Sequence, residues 1–266
     1  MVFRGPELSS SMPITVLTGK LRHLAILPPT PVSHKFATVC SIALATLLTT
    51  ILPSQLTAQT ILADTAPGFD TGTTLTSVGA TTIISDGEKE GGNLFHSFAE
   101  FDISTGDIAG YVRSSADAGS ILNIVNRVRS GTASDIDGTM TVTDMPNADF
   151  FLANPNGLNF SATSIVNLPN SGIFTTAHEI RFGSGPTFST ITPDGSTYSN
   201  AAPATLGFLG GNGDINIDGL GGSSDVSFFG ADVTVAGLVD FTGTAINLVA
   251  VGNGAAKYQH RLATGD

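Results

Sequence analysis

From Thr60 onward the chain alternates apolar and polar residues over runs of four to seven residues, and Gly, Asn, Asp, Ser or Pro separates one run from the next. Thr139-Met140-Thr141-Val142, Asp214-Ile215-Asn216-Ile217-Asp218-Gly219, the stretch Ala231 to Gly237 and the stretch Ala245 to Ala250 show the pattern. A period of two sends neighbouring side chains to opposite faces, so these runs predict short strands with one buried face, and no segment sustains a helical period. One stretch stays ambiguous: Ile121, Leu122, Val125 and Val128 fit one face of a helix, yet the Ile and Val content equally suits a buried strand. Asp86-Gly87, Asp137-Gly138, Asn156-Gly157, Asp194-Gly195, Asn212-Gly213, Asp218-Gly219 and Asn253-Gly254 supply tight turns. An all-β chain of this kind is either a hairpin sandwich or barrel, or a solenoid of stacked rungs. Triplets centred on Asn216, Thr234 and Asn247 recur after 18 and 13 residues, which favours the solenoid.

Charge divides the chain. Of 11 Lys and Arg and 22 Asp and Glu, four bases (Arg4, Lys20, Arg22, Lys35) and one acid (Glu7) precede residue 59, leaving seven bases and 21 acids, a net −14, beyond it. Such acidity repels phosphate backbones and excludes electrostatically driven nucleic-acid binding. A hydrophobic share of 41% excludes a classically disordered chain, and a single cysteine excludes a disulfide framework or a thiolate zinc site. Lys20, Arg22 and Lys35 precede an uncharged 17-residue run, Phe36 to Leu52, which Pro53, Ser54, Thr57 and Ala58 follow. That order of basic, apolar and small residues predicts a secretory signal over residues 1–58, cleaved after Ala58. The alternative is a retained anchor, but the run is shorter than the roughly 20 residues of a spanning helix. Its basic region is long, and Met12 offers a second start. Cleavage removes Cys40 and leaves 208 residues without a thiol.

Five blocks carry a resemblance: Asn93 to Phe98 with Phe101, Ile121 to Gly131, Ile136-Asp137-Gly138, Ala148 to Phe160, and Phe174 to Ala177 before Ile180-Arg181-Phe182. In this order, over Asp64 to about Phe188, they resemble the filamentous-haemagglutinin N-terminal family, also described as the haemagglutination activity domain, which is the secretion domain of two-partner secretion exoproteins. The resemblance implies a right-handed parallel β-helix with N-terminal capping strands, and makes Ile121 to Val128 a strand. It divides the chain into the signal (1–58), the secretion domain (59–190), continuing rungs (191–254) and an irregular end (255–266). It further implies passage through the Sec translocon and an unfolded periplasmic state. The POTRA domains of an outer-membrane β-barrel transporter would then recognise the chain and export it to the cell surface. The attached exoproteins are adhesins, haemagglutinins, cytolysins or contact-dependent toxins, for which a ligand on a host or neighbouring cell is a further partner.

Asn154-Pro155-Asn156-Gly157 reads as a β-turn, with Pro155 fixing φ at the second position. In the family an Asn-rich motif here matters for secretion, so Asn154, Pro155, Asn156 and Gly157, then Asn93 and Phe95, are the candidates for transporter recognition. The competing reading makes the turn a rung corner, makes Leu94, Phe95, Phe98 and Phe101 core residues closing the cap, and makes His96 a satisfied side chain. The family more often has Ile where Leu158 stands, and its second Asn-Pro motif has no counterpart here.

Asp214, Asn216, Asp218 and Asp225 match the spacing of a twelve-residue calcium loop, but no helical pattern flanks them, and Ile215 and Ile217 read as inward strand residues. No metal or other cofactor is therefore expected. The Gly210 to Asp214 stretch sets its acid one residue early for a calcium-binding nonapeptide. Nucleophile elbows, zinc-protease helices and P-loops are absent from the sequence, and His178-Glu179 lacks a second His. A non-enzymatic secretion domain is the first reading. The second is a secreted β-helix carbohydrate-active lyase or hydrolase, which three or more carboxylates in one groove would favour. After Gly254 the alternation stops and Lys257, His260 and Arg261 cluster, so a truncated or frameshifted longer exoprotein is expected. N-terminal sequencing of exported protein should begin at Gln59; a mature chain that keeps Phe36 would refute the signal.

Overall fold

The computed structural model of this protein describes residues 59–113, 116–183, 185–192, 197–241, 245–254 and 258–262, with the strand at 258–261 described by its backbone alone. The expected export signal with Cys40, the Asp194-Gly195 turn and Lys257 lie outside the described residues.

Four short strands open the domain: β1 (Thr60–Ala63), β2 (Thr73–Val78), β3 (Thr81–Asp86) and β4 (Glu88–Glu90). β2 pairs antiparallel with β3, and both β1 and β4 pair antiparallel with the long β5 (Asn93–Asp102), so they cover the N-terminal end of the winding that begins there. Asp86 and Gly87 make the reversal between β3 and β4 with φ of 59° and 84°, the left-handed region that their residue types tolerate.

From β5 the chain winds in coils, each laying one strand on each of three parallel sheets. β5 leads through the bridging residue Ile103 to β6 (Ile108–Tyr111). The next coil is β7 (Asn123–Val128), β8 (Ser134–Ile136) and β9 (Thr139–Val142), and the one after it is β10 (Asp149–Ala153), β11 (Leu158–Phe160) and β12 (Ile165–Asn167). β13 (Ser171–Thr175) starts a fourth coil, which leaves the helix for β14 (Glu179–Phe182), β15 (Thr187–Ser189) and β16 (Pro203–Phe208), then returns as β17 (Ile215–Ile217) and β18 (Leu220–Gly222). β19 (Asp225–Gly230), β20 (Val233–Val235), β21 (Val239–Phe241) and β22 (Ile246–Ala250) continue the winding, and β23 (Tyr258–Arg261) joins the excursion. The first face is β5-β7-β10-β13-β19-β22, the second β8-β11-β17-β20 and the third β3-β6-β9-β12-β18-β21. The excursion is a separate antiparallel sheet, β15-β14-β16-β23. This is the parallel β-helix with capping strands that the resemblance implies, and within Ile121 to Val128 the residues Asn123–Val128 form a strand rather than a helix.

Inward columns hold the coils together. Leu94, Ile124, Phe150, Gly172, Val226 and Ile246 stand in register along the first face, separated by 30, 26, 22, 54 and 20 residues of chain. Gly172 leaves room in that column for Leu168 and Phe174, whose atoms would lie 2.6 and 3.0 Å from a Cβ placed there. In the adjacent column Phe174 and Phe228 stack with ring centroids 5.4 Å apart, and Phe160 meets both rings edge-on. Asn216 and Thr234 pair directly on the second face, so their 18-residue interval is one true coil. Asn247 pairs with Ser227 on the first face, so the 13-residue interval is a step between faces and not a repeat.

A second core lies outside the first face. Phe95, Val125 and Phe151 point away from the helix interior and are buried with Ile180, Phe182, Phe188, Leu206 and Phe208 of the excursion. Phe95 therefore does not close the interior cap with Leu94, Phe98 and Phe101; it sits across the strand from them, 5.0 Å from Phe188 and 5.5 Å from Phe182 by ring centroid.

His96 heads the column of Asn126, Leu152 and Phe174, with Nδ1 3.0 Å from the Thr73 hydroxyl. Burial, joined by the charge of Arg113 and opposed by Asp86, lowers its pKa from 6.5 to about 3. The unfolded chain therefore binds a proton near pH 6.5 that the folded chain refuses until about pH 3. The stability His96 contributes is complete above that upper value and drains as pH falls, by about 1.4 kcal/mol per pH unit across the window. Asp102, which burial and the neighbouring Asp135 and Glu100 carboxylates raise to about 6, acts in the opposite sense. It is common to parent and variant and cancels between them. Urea unfolding at pH 7 and pH 5 should show the parent losing about 2 kcal/mol more than His96→Gln; equal losses would contradict the buried neutral ring.

Candidate functional site

β10 passes to β11 through Asn154-Pro155-Asn156-Gly157, at the corner between the first and second faces. The Gly157 N–H donates to the Asn154 carbonyl at 3.1 Å and closes the turn. The buried Asn154 side chain works in both directions: its Oδ1 accepts the Asn156 N–H at 3.0 Å, and its Nδ2 is shared among the Ser134 hydroxyl (3.0 Å), the Thr132 carbonyl (3.1 Å) and the Ser130 hydroxyl (3.3 Å) of the coil below. From the coil above, Gly213 N–H donates to the Pro155 carbonyl at 2.6 Å. Gly157 has φ of 125°, and a Cβ there would lie 3.0 Å from the Asp214 carbonyl, so the position admits only glycine comfortably. Of the four motif residues Asn156 alone is exposed. Its Nδ2 donates to the Ser130 carbonyl at 2.5 Å.

Asn93 and Phe95 lie elsewhere, on the strand β5 of the first coil. Asn93 is buried at the strand entrance, where its Nδ2 donates to the carbonyls of Ser199 and Ala201, each at 2.6 Å, and its Oδ1 accepts from Asn123 Nδ2 at 2.8 Å. It thereby holds the excursion against the first coil. Phe95 anchors the same excursion by its ring. The structure thus places the two groups of candidates at opposite ends of first-face strands, and does not bring them into one site.

Residues of the coil below and of the excursion, among them Arg129, absent from the candidates read from the sequence, gather beside the turn. Arg129, Ser130, Pro155, Asn156, His178 and Thr190 line a hollow of about 270 Å³, so two of the resemblance blocks meet here beside the excursion. Arg129 pairs with the buried Asp64 at 2.7 Å and lies over the Phe69 ring. His178 Nδ1 accepts the Leu209 N–H at 3.3 Å, which places the proton of the neutral ring on Nε2, and burial lowers its pKa against the pull of Glu179. Next along the strand, Arg127 is wholly buried. Its guanidinium donates at 2.8 Å to the Ser97 hydroxyl, the Ser189 carbonyl and the Phe69 carbonyl, and lies between the Phe69 and Phe188 rings. Burial brings its pKa down to about 10 against the pull of Tyr198 and Asp64, so it stays charged at neutral pH. Two arginines two residues apart, in an apolar strand of a chain poor in bases, were the available signal.

The calcium spacing is dispersed over a coil. β17, β18 and β19 belong to the second, third and first faces. Asp214 accepts the Asp232 N–H at 3.1 Å, Asn216 donates to Asn159 at 3.0 Å, Asp218 stands exposed at the corner, and Asp225 accepts the Ala245 N–H at 2.8 Å. Among the described residues no three His, Cys, Asp or Glu side chains are grouped to hold a metal ion. Four carboxylates, Glu100, Asp102, Asp135 and Asp137, do line a hollow of about 250 Å³ at the first coil. Asp102 there accepts the Asp135 N–H, and Asp135 accepts from Asn159.

The model of the TPS secretion domain family matches residues 58–263. Among solved structures, the HMW1 secretion domain from Haemophilus influenzae is similar at 18% identity and a TM-score of 0.45, over 72% of this chain and 44% of that one. The chain thus spans less than half the length of that protein. No curated protein sequence matches it. With the match running through the capping strands, every coil and the excursion, the chain belongs to the TPS secretion domain family, the secretion-directing domain of two-partner secretion exoproteins, which are exported through the periplasm.

Proposed function

We propose that this domain directs export of an adhesin-like exoprotein by engaging the periplasmic POTRA domains of a dedicated outer-membrane β-barrel transporter, after the segment before Gln59 has delivered it across the inner membrane and been removed. The observation that carries this reading is the family match over residues 58–263, with two of the resemblance blocks meeting at the corner at Asn156. That corner must then be formed when the transporter binds, a departure from the fully unfolded periplasmic state that the resemblance implies, and it assigns different roles to its residues. Asn154, Pro155 and Gly157 are consumed in holding one coil against the next, whereas Asn156 is the member that faces solvent. In this reading Asn93 and Phe95 act at a distance, by holding the excursion that walls the hollow.

Coexpression with the candidate transporter, scoring surface export, tests this. Export should require the transporter, and Asn156→Ala should lower it at a stability cost of no more than about 1 kcal/mol, that of one exposed hydrogen bond. Asn154→Ala should lower export together with about 1–3 kcal/mol of stability, since it strands buried hydroxyl and carbonyl groups. Export that needs no transporter would overturn the reading.

The acidic hollow at Glu100, Asp102, Asp135 and Asp137 supports a second reading, a carbohydrate-active enzyme, because a carboxyl group raised to about 6 has the acidity of a general acid near neutral pH. On that reading the purified protein cleaves acidic or neutral polysaccharides and Asp102→Asn stops it. On the first, which we adopt, reducing-end assays stay at background for both.

A further inference from the structure

On the third face, the outward positions of successive coils stand in register as Thr139, Ile165, Gly221 and Asp240. Gly221 thus leaves a gap, one side chain deep, in an otherwise filled column. Together with the corner residues Asp218 and Leu238 the gap opens into a groove of about 500 Å³ that crosses three coils. Packing does not require the gap. A Cβ on Gly219 would lie 2.7 Å from the Ala162 Cα, and one on Gly222 would collide with the Val166 carbonyl, so those two glycines are compelled by neighbouring backbone. A Cβ on Gly221 would have only the Asp240 carbonyl near it, at 3.7 Å, an ordinary contact.

The groove is apolar where it is deep and acidic at its rim. Ile165 and Leu238 flank it with 41% and 78% of their surface exposed, Leu238 being the most exposed large hydrophobic residue described. The carboxylates of Asp218 and Asp240 are exposed, and no Lys, Arg or His lines the groove. Coils lie about 4.8 Å apart, so three coils span about 10 Å, the reach of three or four residues of extended chain. We propose that this groove docks an extended segment of a partner protein in which an aliphatic side chain, seated over Gly221, is flanked within about three residues on each side by Lys or Arg facing Asp218 and Asp240. The apolar contact supplies affinity and the two carboxylates select the sign of the partner's charge. This surface lies on a different face from the Asn156 corner, and its test does not involve export.

The test uses the full chain with carbon-13-labelled Ile and Leu methyl groups, titrated with the peptide Lys-Leu-Val-Leu-Lys, blocked at both ends, and with Glu-Leu-Val-Leu-Glu. The Ile165 and Leu238 methyl signals should shift saturably with the first peptide and at least tenfold more weakly with the second. Gly221→Leu should fill the gap and abolish the shifts while keeping the parent's melting temperature, and Asp218→Asn with Asp240→Asn should erase the preference between peptides. No saturable shift, equal response to both peptides, or undiminished binding by a folded Gly221→Leu chain would each overturn the proposal.

Discussion

In-register parallel stacking is the constraint on which everything else in this protein depends. Because each strand of a face lies directly on the strand below, a residue type chosen once is repeated along a column, and a mistake in one coil is felt by its neighbours on both sides. The interior answers with apolar columns relieved at Gly172, where the ring of Phe174 and the side chain of Leu168 occupy the missing volume. The exterior answers with side-chain ladders: Asn216 donates to Asn159, and Asn159 in turn to Asp135. Corners are the expensive places, since backbone groups leaving one sheet must find partners before entering the next. Asn154 meets that demand with one side chain, which is why a motif that looks like a recognition signal is also a structural necessity.

How much of this was legible depended on how many sides of a strand are covered. The second face is packed only from within, so Ile215-Asn216-Ile217 alternates cleanly and its strand could be read with its inward residues. The first face is covered from both sides, and every residue of Asn123–Val128 is buried. Alternation disappears there, which is why the same stretch was equally compatible with a helix. The solenoid itself was half hidden, because first-face strands that recur after 20 to 54 residues leave no fixed period, and the ordered family blocks had to supply what periodicity lacked.

The candidate site was legible in outline but not in its division of labour. The residue types of Asn154 to Gly157 specify a turn, and a turn is what forms. That Asn154 would be sealed and Asn156 displayed depends on the coils above and below, which local sequence does not encode. Phe95 was similarly read as part of the interior, because nothing in Asn93 to Phe98 announces a second apolar layer contributed by residues 180–208. Arg127 gave still less warning, since its three acceptors come from positions 69, 97 and 189.

Those three positions carry a consequence for the order of assembly. A chain delivered from its N-terminus presents Phe69, Ser97 and Arg127 early, but the Ser189 carbonyl and the Phe188 ring arrive about sixty residues after the guanidinium they enclose. Until then the cation keeps its water, and the flank carrying Phe95 and Phe151 has no cover. The early coils are therefore an unfinished wall, and the excursion is the piece that makes it watertight: completion of the N-terminal half is clocked by the passage of a segment that belongs, in sequence, to the next.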